Sequence, residues 1–199
     1  LGVVVGVVAA VNHGKWVDSV LMTISVFGIS APAFWIAIIL QIVICLKFNL
    51  LPLSGIDSFK SFILPGIALG TRYAASIARI TRTSMLDVLS QDYIRTAEAK
   101  GLKGWVVTIK HALRNALIPI ITIAGSDLGN ILTGSVLVES VFSIPGIGKM
   151  LVDSINTRDL PIVQGGVMYI AVICVIMYLV VDLLYTVVDP RIRLGKESS

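Results

Sequence analysis

Charge is scarce in this sequence, and that scarcity excludes most classes of protein at once. Only 14% of its 199 residues are Asp, Glu, Lys or Arg, where a soluble domain carries about a quarter. Cysteine is rarer, with Cys45 and Cys174 each inside an apolar segment, so no disulfide framework is expected and both read as small packing residues. His13 and His111 are the two histidines and stand far apart, so no metal site is expected from this chain. Histidine is also missing from every long apolar run. That argues against an intramembrane protease, for which the acids Asp127 and Asp182 lack the local motif.

What is present is apolar residues, 56% of the chain, with a mean hydropathy of +0.91. Residues 19–46 form 28 consecutive positions without a charge, and residues 161–181 form 21. About 20 are enough to cross a bilayer as a helix. The chain therefore reads as an integral membrane protein, all-α because backbone polar groups in lipid need internal partners. Five apolar segments are expected: one ending near Val11, then residues 19–46, 61–85, 115–138 and 161–188. The opening LGVVVGVVAAV has no basic flank before it and reads as the tail of a span, not as a signal peptide.

Basic residues mark the cytoplasmic side, and they alternate between connections. Twelve of the sixteen lie around Lys15, between Arg72 and Arg114, or in the tail with Arg191, Arg193 and Lys196. The expectation is a cytoplasmic C-terminus, with residues 50–60 and 139–160 outside. Breakers recur within the segments: Gly28 with Pro32, Pro65 with Gly66 and Gly70, then Pro119, Gly125, Gly129 and Gly134. They fit either mobile, kinked helices or close packing through small residues.

In the outer connection, Ile147, Met150, Leu151 and Ile155 recur at helical spacing after Pro145 and Gly146, which predicts a short amphipathic surface helix. Gly146, Gly148 and Lys149 hint at a phosphate loop. Ser143 stands where its first Gly belongs and Met150 where Ser or Thr should follow, so that reading is rejected.

The most polar run is DYIRTAEAKGLKGWVVTIKHALRNALIP, residues 92–119. Its first part favours helix, and Gly101 suits the left-handed residue that ends one. A second stretch from about Lys103 sets Val106, Ile109, Leu113 and Leu117 on one stripe beside Lys103, Lys110 and Arg114 on the next. The expectation is two short helices joined at a Gly turn. Physics alone leaves two uses open: contact with anionic lipid, or docking of a partner.

The spacing of Arg95-Thr96-Ala97, Gly101 and Leu113 resembles the EAA loop of ABC importer permeases, Glu-Ala-Ala, three residues, Gly, nine residues, Ile, any residue, Leu-Pro. Arg95, His111 and Arg114 depart from that pattern and resemble the peptide and nickel branch. VFGISAPAFWIAIIL, VLVESVFSIPGIGKMLVDSI and VDLLYTVVDPRIRL are also similar to the B-type permeases of dipeptide and oligopeptide importers, over essentially the whole chain. The family's first span and long outer loop have no counterpart here.

The resemblance implies a type I importer permease fold over residues 1–199, with a cytoplasmic coupling loop at 87–118. It implies that Asp92, Tyr93, Arg95, Thr96, Ala97, Glu98, Lys100, Gly101 and Leu102, with Leu113 and Arg114, couple the membrane part to a separate ATPase. Two ATPase subunits holding ATP and Mg, a second, related permease, an extracytoplasmic binding protein and a prokaryotic plasma membrane follow as partners and place. No cofactor on this chain, no enzymatic chemistry and no nucleic acid are implied. Dipeptide, oligopeptide, glutathione and nickel remain open as cargo, and a secondary transporter is the competing class.

Arg72, Asp127 and Asp182 are ionisable residues within or near the ends of apolar segments. Such charges normally face a cavity or a partner. Arg72 and Asp127 could pair with each other or meet the charged ends of a cargo; Asp182 is expected to partner Arg79 or Arg82.

Overall fold

A computed structural model describes residues 1–134 and 136–188, with the side chains of all of these except 128–130, 132–134, 182 and 184–188. Every regular element among the described residues is helical. Helix α1 spans Gly2–Val11, α2 Trp16–Ser30 and α3 Ala33–Leu40, the last continuing in π-helical geometry over Gln41–Lys47. A 3-10 turn at Phe59–Phe62 opens the long α4, Ile63–Leu89, and α5 covers Asp92–Ala99. Helix α6, Gly104–Val106, runs through a π-helical stretch, Val107–Leu113, directly into α7, Arg114–Gly134. Helices α8, Val136–Val141, α9, Ile147–Asn156, and α10, Leu160–Val188, complete the order.

Contacts divide the chain into two units, one of Leu1–Phe27, Tyr73–Ser126 and Leu179–Ser199, the other of Gly28–Arg72 and Asp127–Tyr178. In the first, small residues let α1 lie directly on α4. A Cβ added to Gly6 would stand 2.5 Å from both the Ala78 carbonyl oxygen and Thr81 Cβ, and one on Gly2 would meet the Ala74 carbonyl. Backbones approach this closely only where side chains are absent, as in small-residue packing of membrane helices. Below this contact Ala10, Met85, Ile94, Ala97, Val107 and Ala112 form a buried cluster, extended by Ala116 and Ile120.

The second unit has its own core of Ala37, Cys45, Leu64, Ala68, Val138 and Phe142. Gln41 ties α3 to two other segments, its amide nitrogen donating to the carbonyls of Leu53 at 2.9 Å and Val141 at 3.0 Å. The Gly55 N–H donates to the Phe142 carbonyl at 3.1 Å, so the 50–60 connection is bound to α8. Cys45 is buried and reduced, with its thiol on the Pro52 carbonyl, as expected of a packing residue.

Several expectations change. The apolar run 19–46 is not one straight helix: α2 and the α3 helix meet at 102° across the break before Ala33. Pro32 lacks the N–H and disfavours helix at the residue before it. The segment expected at 115–138 starts earlier, since the apolar helix long enough to cross a membrane is Gly104–Asp127. The second of the two short helices expected after Gly101 is therefore the beginning of this long one. By length and apolarity, Gly104–Asp127 and Leu160–Val181 qualify as spans among the described residues, with a third if the bent pair counts as one. Five were expected. Helix α4 is long enough, with 27 residues, but Arg72, Arg79, Arg82 and Asp87 lower its apolarity.

Two glycine substitutions test the α1–α4 contact. Gly6→Ala is expected to destabilise the protein by about 1–3 kcal/mol, the usual cost of overpacking. Gly70→Ala, where an added Cβ meets nothing within 4 Å, is expected to be neutral or slightly stabilising. Thermal unfolding in detergent compares them, and equal effects would remove the close contact as the explanation.

Candidate functional site

The most organised polar feature of the first unit is α5. Helix α4 ends at Leu89, and Ser90 and Gln91 turn the chain, with Ser90 Oγ donating to the Asp87 carbonyl at 2.8 Å. Gln91 is extended at φ −77°, ψ 148°, and α5 starts after it. Two residues of α5, Ile94 and Ala97, point inward and are buried, three apart as one helix face requires. They pack in the cluster that includes Met85 of α4 and Val107, Ala112 and Ala116 of the α6–α7 helix. Polar ties reinforce the packing: Asn115 Nδ2 donates to the Tyr93 hydroxyl at 3.0 Å and to the His111 carbonyl at 2.8 Å.

The opposite face holds Asp92, Arg95, Thr96, Glu98 and Lys100, all exposed. The helix then stops abruptly. Gly101 adopts φ +76°, its N–H donates to the Glu98 carbonyl at 2.9 Å, and the Leu102 N–H reaches the Ala97 carbonyl at 3.4 Å. This pair of crossed bonds is a Schellman cap. A Cβ at Gly101 would touch nothing within 4 Å, so glycine is required by backbone angle and not by space. Beside α5 lies a groove of about 710 Å³ lined by Val7, Val11, Glu98, Trp105, Thr108 and others.

The structure thus gathers most of the sequence-predicted coupling residues on one surface and sorts them. Asp92, Tyr93, Arg95, Thr96, Glu98, Lys100, Gly101, Leu102 and Arg114 are exposed. Ala97 is buried and Leu113 partly buried against the same cluster, so these two hold the helix and do not offer it to a partner.

A second polar cluster was not foreseen. Asp18, in the first turn of α2, is 4% exposed and receives Arg82 of α4 in a two-point pair, Nε to Oδ1 at 2.6 Å and Nη2 to Oδ2 at 2.7 Å. The Gly14 N–H adds a bond to Oδ2 at 3.2 Å, and His13 Nδ1 lies 3.2 Å from the same oxygen. Arg82 therefore has a partner other than Asp182, whose side chain lies outside the described residues, as does the basic tail. Asp18 sits at the edge of an apolar run and reads from sequence as part of a loop; its bond to Arg82 spans 64 residues.

Arg72 and Asp127, both in the second unit, are not joined by any ion pair among those found. Arg72 is exposed, while Oδ2 of Asp127 is buried without a hydrogen-bond partner. In the same unit α9 forms as expected, but only Gly148 and Ser154 of it are buried, and Ile147, Met150 and Ile155 are exposed. At its start Glu139 accepts the Lys149 N–H at 2.9 Å, and a Cβ on Gly146 would collide with the Glu139 carboxylate. The Glu139 carboxylate therefore caps the start of α9.

Among the described residues no group of three or more His, Cys, Asp or Glu could hold a metal ion. These features define an integral membrane helical protein with a short surface helix, α5, that is anchored by its apolar face and presents charges outward. The chain belongs to the family of binding-protein-dependent transport system inner membrane components, whose pattern matches residues 2–194. It is 45% identical over 192 residues to the glutathione transport system permease protein GsiC of Escherichia coli strain K12, and equally to those of Shigella dysenteriae serotype 1 and Salmonella typhi. These matches cover 96% of this chain and 63% of each relative, so the chain spans a little under two thirds of their length.

The Asp18–Arg82 pair carries a stability prediction. Removing one partner of a buried pair typically costs about 3–5 kcal/mol, because the other charge is stranded. Asp18→Ala is expected to fall in that range, and adding Arg82→Met to recover part of the loss. A double variant as unstable as the single, in chemical or thermal unfolding, would show that the stranded guanidinium is not the cause.

Proposed function

We propose that this chain is the permease part of an ATP-driven importer for short peptides, with glutathione-like tripeptides favoured within that class. The glutathione transport permeases to which it is similar support the cargo; α5 supports the mechanism. A helix with a charged outer face and an apolar inner face, wedged between α4 and the α6–α7 helix, is suited to pass force from a partner into both. In this reading two ATPase subunits bind ATP and Mg and close together, α5 is pushed as a rigid peg, and the membrane helices tilt. Hydrolysis belongs to the partners. A second permease, related but not identical, completes the pathway against apolar faces such as α10, where only 6% of the Leu160–Val181 window is buried.

The same reading puts α5 and the C-terminus in the cytoplasm of a prokaryotic cell and the 50–60 and 139–160 connections outside. There a binding protein would deliver cargo onto the region of α9. Beside α9 lies a cleft of about 630 Å³ lined by Lys149, Met150, Asp153, Asp159 and Ile162 among others.

The test uses the full-length permease assembled with its partners in proteoliposomes. Gly101→Val places a β-branched residue at φ +76°, which costs more than the roughly 1–2 kcal/mol of an ordinary residue there. The α5 cap should distort, and peptide uptake and cargo-stimulated ATP hydrolysis should each fall about tenfold or more. Gly104→Ala, two positions beyond Leu102 and with open space around it, should leave both near wild type. Undiminished coupling in Gly101→Val would remove α5 from the mechanism.

A further inference from the structure

We infer that the cleft beside α9 binds a short peptide by its free termini, Lys149 taking the carboxylate and Asp153 and Asp159 the ammonium. This inference rests on the peptide-importer reading above, which puts α9 on the outer side where cargo arrives, and gives that reading a cargo site on this chain.

One cavity joins these groups. Its volume of about 630 Å³ falls within the roughly 300–1,000 Å³ usual for small-ligand sites. Lys149, Asp153 and Asp159 line it together with Ile147, Met150 and Ile162, three apolar side chains that remain exposed. The lining follows α9 from Lys149 to Thr157, a rise of about 12 Å, close to the roughly 10 Å that three extended residues span. A tripeptide therefore fits along the helix with its ends near opposite charges.

The charges select the class of ligand. Two carboxylates beside one ammonium disfavour a bare anion such as phosphate, and among the described residues no group of three His, Cys, Asp or Glu could hold a metal ion. A zwitterion complements both signs. Lys149 Nζ donates to Asp153 Oδ2 at 2.9 Å, which uses one of its three donors and leaves two for a carboxylate. Oδ1 of Asp159 accepts the Ile162 N–H at 3.3 Å, so its Oδ2 and the other oxygen of Asp153 are left for an ammonium. Asp159 is also fixed in advance. Arg158 adopts φ +58°, its N–H donates to the Ile155 carbonyl at 3.1 Å, and the Asp159 N–H donates to the Ser154 carbonyl at 2.8 Å, a Schellman turn that ends α9. An ordinary residue is disfavoured at that angle, yet the turn sets Asp159 where it also caps α10. A carboxylate held from both helices loses little freedom when a ligand binds.

The full-length permease complex in nanodiscs, without its binding protein, tests this by equilibrium binding of radiolabelled trialanine, whose only charges are its termini. Saturable binding is expected, weakened about three- to tenfold in Lys149→Gln and in Asp159→Asn, the loss of one partly exposed charged contact. Lys149→Arg should retain more binding than Lys149→Gln. Asn caps a helix as well as Asp does, and an exposed pair such as Lys149 with Asp153 adds little stability, so these variants should unfold at the wild-type temperature. Blocked peptides give the readout that a structural role would not move: N-acetylated trialanine should bind the wild type more weakly than trialanine does, and Asp159→Asn should narrow that difference. C-amidated trialanine should behave likewise with Lys149→Gln. Absence of saturable binding to the wild type overturns the inference, as does an equal loss of free and blocked peptides in the variants. So does a defect confined to the affinity of the complex for its loaded binding protein, which would make the cleft part of that protein's seat. Uptake of trialanine and glutathione into proteoliposomes, with binding protein and ATP, tests the importer reading separately. Uptake without cleft-dependent binding overturns this inference alone, and absence of uptake overturns the importer reading and this inference with it.

Discussion

The burial of Ile94 and Ala97 is the interaction on which the functional surface depends. Eight residues of α5 are too few to be stable as an isolated helix in water, and this one persists because its apolar face is inserted between Met85 on one side and Val107, Ala112 and Ala116 on the other. Without that anchor the exposed charges of Asp92, Arg95, Glu98 and Lys100 would sit on a fraying loop. With it they are held on a peg tied to two long helices. The Schellman cap at Gly101 and the bond from Asn115 to Tyr93 fix its two ends. The polar face is thereby fixed relative to the helices behind it.

Charge in this chain follows the same rule of paired satisfaction, and the exceptions carry the information. Asp18 is taken out of water only because Arg82, Gly14 and His13 surround it; this cluster pins the start of α2 to α4. Glu139 lies partly buried and pays back part of its desolvation by capping α9 through the Lys149 N–H. Surface pairs such as Lys149 with Asp153 at 2.9 Å add little, since exposed ion pairs gain modest energy in high dielectric. Against this background Oδ2 of Asp127, buried without a hydrogen-bond partner among the described residues, is the exception.

Much of the architecture was legible, and what escaped has a physical pattern. Helical spans, the Gly101 stop and α9 could be read because each is written within a window of about ten residues. The sorting of residues 92–114 was not: Ala97 and Leu113 look like any motif position until the cluster behind α5 is seen. Asp18 with Arg82 and Glu139 with Lys149 escaped because the pairing is set by which helices are neighbours, and no local period reports that. The Gly2–Gly6 face on α4 was overlooked because in a valine-rich run two glycines read as interruptions, not as a packing surface. Pro32 reads as a breaker, but the 102° turn it accompanies is not written locally, since α3 packs against Phe142 and Val138.

The bent pair shows why composition alone does not give the path of an apolar run. A run of 28 uncharged residues satisfies the length test for a crossing whatever its shape, yet a helix that turns sharply midway has two short arms, neither of which reaches across. Such a break strands backbone carbonyls and N–H groups at depth, and irregular backbone at depth is tolerated only when protein or a water-filled cavity surrounds it. Here the Pro32 carbonyl accepts from Trp35 and Ile36, and farther along the helix Gln41 reaches the carbonyls of Leu53 and Val141. Gln41, in the middle of an otherwise apolar helix, is therefore the residue that lets the 50–60 connection and α8 close around α3. A polar side chain in an apolar run signals either a partner elsewhere or an internal closure of this kind, and at Gln41 its satisfied hydrogen bonds decide for closure.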